Sequence, residues 1–221
     1  MANPKRVGVV LAGCGFLDGA EIQEATCTLL SLDRRGAELV AAAPDVEQMH
    51  VVDHLRQAPA EGERRNVLAE SARIVRGRIR DLATLSAKDL DALVFPGGFG
   101  VAKNLCSFAV EGRAMRVLPE VERLVREMRA ASKPMGFICI APVIAARVLG
   151  ADGVQVTIGN DPDTAAAIAS WGARHVERRV DEIAVDDRLK VVSTPAYMLG
   201  PWISGVAAGI DKLVSAVLEM A

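Results

Sequence analysis

Short, almost continuously apolar segments alternate with amphipathic ones, and this alternation restricts the possible folds more than any other feature of the sequence. The segments typical of strands are Val7–Ala12, Glu38–Ala43, Asp91–Pro96 and Pro134–Ile140. The segments with helical periodicity are Asp18–Arg35, Pro119–Ala131 and Pro142–Leu149. Strands that are apolar on both faces and separated by helices are typical of a mainly parallel sheet covered on both sides. We therefore predict an α/β fold and expect residues 1–221 to form one domain.

The remaining segments are less regular. The pattern predicts further strands at Val154–Ile158, Glu182–Val185 and Lys190–Thr194, and helices at Asp161–Trp171 and Leu199–Glu219. Between Gln48 and Arg80 the apolar positions form only a weak helical stripe, interrupted by Ser71. The sequence is compatible with three interpretations of this region: a lid, a dimer surface or a simple loop.

Charge and composition exclude several functional classes. The formal net charge is −2, and the chain has one Tyr and two Trp, which argues against a nucleic-acid partner. No apolar segment approaches the roughly 18 residues of a membrane span, so we expect no membrane partner. Four widely spaced cysteines without a C-x-x-C pair predict neither a disulfide framework nor a metal site. We interpret the N-terminal apolar run as a first strand, not a signal peptide, and expect the cytoplasm of a bacterium.

Three strand-to-helix loops are expected at one edge of the sheet, where ligands of parallel α/β proteins bind. Their sequences are GCGFLDGAE, PGGFGVAKN and ICIAP. The first loop resembles a dinucleotide fingerprint, but its glycines at 13, 15 and 19 are spaced too widely for G-x-G-x-x-G. No phosphate-binding G-x-x-x-x-G-K-[ST] sequence is present either. We therefore expect no bound cofactor.

Cys139 is the candidate nucleophile because the segment PMGFICIAP places it where a strand turns into a helix. Pro142 suits the first turn of that helix, whose positive dipole end is expected to lower the pKa of the thiol. Backbone N–H groups at Gly97 and Gly98 can approach a developing oxyanion closely. The alternative is that Cys139 is a small core residue, since free cysteines are usually buried.

Five motifs give a resemblance over essentially the whole chain. They are LAGCGFLDGAEIQE, VFPGGFGVAKNLCSFA, KPMGFICIAP, TIGNDPDTA and STPAYML. Together they resemble the ElbB group, a glyoxalase-like branch of the ThiJ/PfpI superfamily associated with isoprenoid biosynthesis. The resemblance implies a class I glutamine amidotransferase-like, flavodoxin-like fold: a three-layer sandwich with helices on both faces of the sheet. It also implies a homodimer.

The resemblance implies a role for particular residues. Cys139 matches the elbow cysteine, and Glu24 matches a glutamate from the first helix that reaches its sulfur. Glu21 lies one turn earlier on the same helix face, while Gly97, Gly98 and Ile140 match the oxyanion and substrate-binding positions. Many relatives have a histidine where this chain has Gly159 or Asn160, so a Cys–His–acid triad is not supported.

The implied activity is a glutathione-independent glyoxalase-type lyase that converts a small 2-oxoaldehyde such as methylglyoxal to a 2-hydroxy acid, with no metal or cofactor. The alternative is a redox-sensing or protein-interaction module in which Cys139 is oxidised, or an accessory to isoprenoid biosynthesis. Cys14 follows the first strand, so it can line the same crevice and act as a resolving thiol, or simply pack in its turn. We expect His175 to lie in a strand away from the site, and His54 can fold over it.

Overall fold

A seven-stranded sheet runs through the centre of the computed structural model, which describes residues 3–221. The strands are β1 (Arg6–Val10), β2 (Glu38–Ala43), β3 (Val52–Asp53), β4 (Ala58–Pro59), β5 (Arg80–Asp81), β6 (Ala92–Phe95), β7 (Met135–Ile138), β8 (Gln155–Val156), β9 (Arg174–His175), β10 (Ala184–Asp186) and β11 (Val191–Thr194). The order in the main sheet is β10-β11-β7-β6-β1-β2-β5. Only β10 runs antiparallel to its neighbour, so the prediction of a mainly parallel sheet is confirmed. The pairs β3–β4 and β8–β9 lie outside that sheet.

Helices cover both faces of the sheet. They are α1 (Ile22–Arg34), α2 (Val67–Ile74), α3 (Phe108–Glu111), α4 (Pro119–Ala130), α5 (Pro142–Leu149), α6 (Pro162–Ser170) and α7 (Ile203–Glu219). The apolar stripes of α1, α2 and α7 belong to the core on one side, and those of α4, α5 and α6 to the core on the other. The three-layer, flavodoxin-like sandwich is thereby confirmed.

Alternation along the strands explains why both faces need cover. In β6, Leu93 and Phe95 point to one core, whereas Ala92 and Val94 point to the other. All four are fully buried, as the continuous apolar run predicts. In β7, Phe137 stacks on Phe95 with ring centroids 5.0 Å apart. This pair anchors the two strands whose ends carry the loops after Phe95 and Ile138.

Several boundaries differ from the sequence prediction for local reasons. Helix α1 begins at Ile22, not Asp18, because Glu21 is extended and caps the helix with its own carboxylate. Helix α7 begins at Ile203, not Leu199, since Pro201 disfavours helical backbone just before it. The weak stripe between Gln48 and Arg80 does contain a helix, α2, capped by the Asn66 side chain. No helix among residues 3–221 is both long and apolar enough to cross a membrane.

Candidate functional site

Cys139 occupies a sharp turn between β7 and α5. Its φ is +61°, a left-handed conformation that is uncommon for a residue other than glycine. The turn is fixed from both sides, because the Cys139 N–H donates to the Thr194 carbonyl at 2.9 Å and the Ala141 N–H donates to the Ile138 carbonyl at 2.9 Å. The side chain is 7% exposed. The sheet thus presents one nearly buried thiol at its carboxyl edge, as the elbow pattern predicts.

The Glu24 carboxyl group lies beside that thiol and is fully buried. One of its oxygens, Oε2, accepts the Gly97 N–H at 2.9 Å, and Oε1 accepts the Tyr197 N–H at 3.2 Å. The Cys139 side chain is its neighbour, since a Cβ added at Gly97 would touch both Cys139 and Glu24, and each of the two groups shifts the pKa of the other. Loops after β6 and β11 therefore fix the carboxyl of α1 against the sulfur at the end of β7. The structure brings Cys139 and Glu24 together.

Gly97 is required by this contact. A Cβ at that position would lie 2.4 Å from the Cys139 Cβ and 2.5 Å from Glu24 Oε2, so only glycine fits. The expected oxyanion role of its amide is wrong, because the Gly97 N–H already donates to Glu24. The backbone N–H groups that favour an anionic sulfur are instead those of Gly98 and Ile140, because both lower the pKa of the Cys139 thiol. These two amides form the anion-stabilising side of the site.

The expected low pKa of the thiol is also wrong. Burial raises the pKa of Cys139 well above its ordinary value, and the neighbouring Glu24 carboxylate raises it further. The amides of Gly98 and Ile140 oppose this increase but do not reverse it. A helix of only eight residues, α5, supplies the dipole, and the cost of burying a thiolate exceeds its effect.

Burial also raises the pKa of the Glu24 carboxyl, to about 8, although the Tyr197 amide lowers it. At pH 7 only about one-tenth of Glu24 is then ionised. The two groups contact each other, so their protons are coupled and the pair titrates as a unit. In its resting state the site holds a neutral carboxyl group beside a neutral thiol.

Glu21, just before the first residue of α1, helps to hold Glu24 in place. Its side-chain Oε2 accepts the Glu24 N–H at 2.6 Å, and its own N–H donates to the Gly97 carbonyl at 2.9 Å. Glu21 therefore fixes the first turn of α1 to the loop after β6. Its carboxyl also lines the cavity, and burial raises its pKa.

A cavity of about 850 Å³ opens in front of Cys139. Its lining includes Gly98, Ile140 and Tyr197 and the aromatic residues Phe16, Phe99 and Phe108. The aromatic residues and Asp161 have no assigned role in the sequence analysis. Their only signal is that they lie in the motifs GCGFLDGAE, PGGFG, NLCSFA and GNDPDTA. Tyr197 lies in STPAYML, but its contribution to Glu24 comes from its backbone, which no side-chain pattern reveals.

Cys14 does not line this cavity. The charged groups that act on its thiol are Glu70, Arg73, Asp18 and Arg65, on the side of the sheet edge where α2 packs. The hypothesis that Cys14 lines the same crevice as Cys139 is wrong, because its turn directs the side chain toward that cluster. Cys27 lies nearer to the site, since the carboxylates of Glu21 and Glu24 both raise the pKa of its thiol.

The histidines do not provide a general base at the sulfur. His175 lies in β9, as predicted, and its Nε2 is 3.4 Å from the Ile158 backbone nitrogen. His54 packs over the loop after β1, where Nε2 accepts the Leu17 N–H at 3.3 Å. Neither side chain lines the cavity. Within residues 3–221 no three His, Cys, Asp or Glu side chains are grouped so that they could hold a metal ion.

Comparison with known proteins places this site in a family. No family model matches the chain. It is 51% identical to the human "Glutamine amidotransferase-like class 1 domain-containing protein 3, mitochondrial", covering 97% of the chain and 83% of that protein. It is 36% identical to the "ES1 protein, mitochondrial" of Danio rerio, covering 97% and 85%. These names contradict the expected cytoplasmic location, because the relatives are mitochondrial proteins.

Solved structures agree with the fold. An isoprenoid biosynthesis protein with an amidotransferase-like domain from Ehrlichia chaffeensis superposes with a TM-score of 0.91 and 38% identity, covering 98% of this chain and 99% of that one. A DJ-1 superfamily protein of Salmonella typhimurium superposes with a TM-score of 0.57 at 24% identity, covering 97% and 91%, which shows a shared DJ-1/ThiJ/PfpI fold. With the identity to the human and zebrafish proteins, this establishes that the chain belongs to the family of glutamine amidotransferase-like class 1 domain proteins that includes the mitochondrial ES1 proteins.

Proposed function

We propose that the protein is a glutathione-independent glyoxalase of the ElbB type, which converts 2-oxoaldehydes to 2-hydroxy acids through Cys139. One observation carries the proposal: a thiol, a buried carboxyl group and two backbone N–H donors converge at the base of an 850 Å³ cavity. These are the groups that an internal proton transfer between adjacent carbons requires, namely a nucleophile, a proton carrier and an anion site.

The reaction begins in the fraction of molecules in which Glu24 is ionised, when the Cys139 sulfur attacks the aldehyde carbon. The sulfur–carbon bond forms as the thiol proton passes to ionised Glu24, and the carbonyl electron pair moves onto oxygen. The N–H groups of Gly98 and Ile140 stabilise that oxyanion until Glu24 returns the proton to it. The product of this step is a hemithioacetal, and Glu24 is again a carboxylate.

Glu24 then moves hydrogen from one carbon to the next. It removes the proton from the former aldehyde carbon, giving an enediolate, and delivers it to the adjacent carbon. The hydroxyl proton passes from the first oxygen to the second in the same step, so the adjacent carbon carries the hydroxyl group and a thioester is left on Cys139. Water adds to the thioester, the sulfur–carbon bond breaks, and the sulfur regains its proton. The balance is one 2-oxoaldehyde and one water to one 2-hydroxy acid, so no external oxidant or reductant is consumed.

The names of relatives extend the proposal. The Ehrlichia chaffeensis neighbour is described as an isoprenoid biosynthesis protein, which supports the ElbB assignment and an accessory role in that metabolism. The mitochondrial names of the curated relatives favour a mitochondrial location for this chain. A homodimer stays a prediction from the resemblance.

Lactate formation from methylglyoxal, in buffer without glutathione and with a chelator, tests the function. We expect wild-type turnover to exceed that of free cysteine at equal concentration, and Cys139→Ser and Glu24→Gln to remove it. The control is the unfolding midpoint of each variant, which separates a lost reaction from a lost fold. Wild-type turnover no faster than free cysteine would refute the proposal.

A second candidate is redox sensing at Cys139. The amides of Gly98 and Ile140 also suit the oxygens of an oxidised, negatively charged sulfur. The raised pKa of the thiol opposes this function, because peroxide reacts with the thiolate. Peroxide oxidation of Cys139 at a rate far above that of free cysteine, in a protein without glyoxalase turnover, would favour the sensor.

A further inference from the structure

The cavity in front of Cys139 is much larger than a three-carbon 2-oxoaldehyde. Its volume of about 850 Å³ lies near the upper end of the roughly 300–1,000 Å³ of pockets that hold drug-sized ligands. Cys139, Gly98 and Tyr197 account for only a small part of its lining. Methylglyoxal would leave most of the remaining space to water, so the cavity shape favours a substrate with a large substituent.

Part of the cavity wall is aromatic. Phe16, Phe99 and Phe108 line it, which are three of the five phenylalanines of the chain. Phe16 and Phe99 are 43% and 51% exposed, although both lie in a concave surface. Exposed phenylalanine rings that line a cavity are typical of a site whose apolar ligand covers them.

This aromatic wall is preformed. The Phe99 N–H donates to the Phe16 carbonyl at 2.8 Å, which ties the loop after β6 to the loop after β1. Lys103 reinforces the tie, since its Nζ donates to the Leu17 carbonyl at 2.7 Å and lies 5.5 Å from the centre of the Phe99 ring. Phe108 packs edge-on against Trp171, with ring centroids 6.0 Å apart. A ligand therefore meets rings that are already positioned.

The charged groups of the cavity are acidic. Glu21 and Asp161 line it, and none of the described lining residues is Lys, Arg or His. Asp161 caps α6, where its Oδ1 accepts the Thr164 N–H at 2.8 Å, and the side chain and backbone N–H of Thr164 together lower the pKa of the Asp161 carboxyl. A substrate carrying a carboxylate or phosphate would meet this negative charge, and the neighbouring cation, Lys103, is not among the lining residues because its Nζ is bound to the Leu17 carbonyl.

We propose that the substrates of this site are uncharged 2-oxoaldehydes with a bulky apolar or aromatic substituent, which lies against Phe16, Phe99 and Phe108 while the aldehyde faces Cys139. The assignment rests on the proposed glyoxalase function for the reaction, and on the cavity alone for the substituent. Burying a phenyl ring in place of a methyl group is worth roughly tenfold or more in affinity.

The test compares phenylglyoxal, methylglyoxal and 4-carboxyphenylglyoxal as substrates of the wild type and of Phe99→Ala. We expect wild-type kcat/KM for phenylglyoxal to exceed that for each of the other two at least tenfold. Phe99→Ala should lower the phenylglyoxal value about tenfold and the methylglyoxal value much less. For each aldehyde, the ratio of wild-type kcat/KM to variant kcat/KM is independent of that aldehyde's intrinsic reactivity. Val110→Ala is the matched control, since Val110 is an exposed apolar residue of α3 that does not line the cavity.

Asp161→Asn tests the charge, because asparagine retains the helix cap. We expect it to reduce the discrimination against 4-carboxyphenylglyoxal several-fold. Equal losses for phenylglyoxal and methylglyoxal in Phe99→Ala, or equal wild-type values for the charged and uncharged aryl substrates, would overturn the assignment.

Binding separates this inference from the proposed function. Phenylglyoxal titrated into Cys139→Ala, followed by NMR or calorimetry, should bind at least fivefold more tightly than to the double variant Cys139→Ala/Phe99→Ala. If this difference in binding is found but the wild type has no turnover, the proposed glyoxalase function is refuted, while the proposed class of ligand is kept. Turnover of methylglyoxal without this difference in binding would retain the glyoxalase and refute the ligand class. If Phe99→Ala does not fold, Phe16→Ala replaces it in both measurements.

Discussion

Two cysteines follow parallel strands of the same sheet, yet only one of them lies in a site. Cys139 follows β7 and Cys14 follows β1, and the pattern of an apolar strand ending in a small-residue turn is common to both. Cys139 is buried against Glu24 and two backbone N–H groups, whereas Cys14 is partly exposed beside Glu70 and Arg73. A cysteine at the carboxyl edge of the sheet is therefore not sufficient to form a site. Cys139 differs from Cys14 because α1 and the loops after β6 and β11 meet beside its side chain.

The largest expected contrast between the two cysteines is in turnover. Cys139→Ser should lower methylglyoxal turnover at least 100-fold, because the sulfur forms the covalent bond in the proposed reaction. Cys14→Ser should change turnover less than twofold, since Cys14 does not line the cavity. The measurement is lactate formation by both variants at equal concentration of folded protein. A comparable loss in both would show that the loop after β1 belongs to the reaction.

A pH-dependent stability is expected from Glu24. The pKa of the Glu24 carboxyl is raised to about 8, above its unfolded value of 4.5, so the native state holds a proton that the unfolded state has lost between these pH values. The free energy of unfolding should therefore fall as pH rises from about 4.5 to 8, with a slope of at most about 1.4 kcal/mol per pH unit from this group.

Glu24→Gln tests this slope. The amide cannot ionise, so urea unfolding at a series of pH values should show a smaller decrease in the variant than in the wild type between pH 5 and 8. The amide also turns one N–H donor toward Gly97 or Tyr197, which lowers its stability at every pH without changing the slope. Identical slopes in the two proteins would mean that Glu24 ionises normally in the fold.

A third contrast concerns the glycine that allows the contact between Glu24 and Cys139. Gly97→Ala should destabilise the fold by about 1–3 kcal/mol, because the added methyl group overlaps the buried Cys139 and Glu24 side chains. Gly62→Ala is a matched control: its φ is +80°, but nothing lies within 4 Å of the added carbon. It carries only the cost of backbone strain, of order 1 kcal/mol. Denaturant unfolding measures both, and equal effects would show that Gly97 can move aside.

The sequence predicts the parts of this fold whose residue pattern is long enough to show a period, and it does not predict the shorter parts. Strands β1, β2, β6 and β7 were predictable because each is apolar on both faces, and their common direction places Cys139 and the loop with Gly97 at one edge. Strand β5 has only two residues and is too short to show a period. The contact with Glu24 followed from the family resemblance, since the chain direction alone does not give the rotation of α1.

The electrostatics of the site could not be predicted from the sequence. The dipole of α5 can be read from Pro142 and the apolar period that follows, but the burial that outweighs it depends on the packing of α1 and the loop after β11. The direction of the Cys14 side chain depends on a turn in which Gly13 and Gly15 both have positive φ. Glycine is compatible with several such turns, so the sequence does not select one.

The smallest expected effect is on disulfide formation between the two cysteines. We expect mild peroxide treatment of the wild type to give no Cys14–Cys139 bridge, because the Cys14 side chain is directed toward Glu70 and Arg73 and does not line the cavity in front of Cys139. Mass spectrometry of peptides from non-reduced protein measures this, with Cys14→Ser as the control for peptide assignment. Cys14→Ser should also change the free energy of unfolding by no more than about 0.5 kcal/mol, as is usual for a partly exposed residue. A bridge formed in high yield would require the loop after β1 to turn over and bring Cys14 into the cavity, and the two loops would then form one redox site.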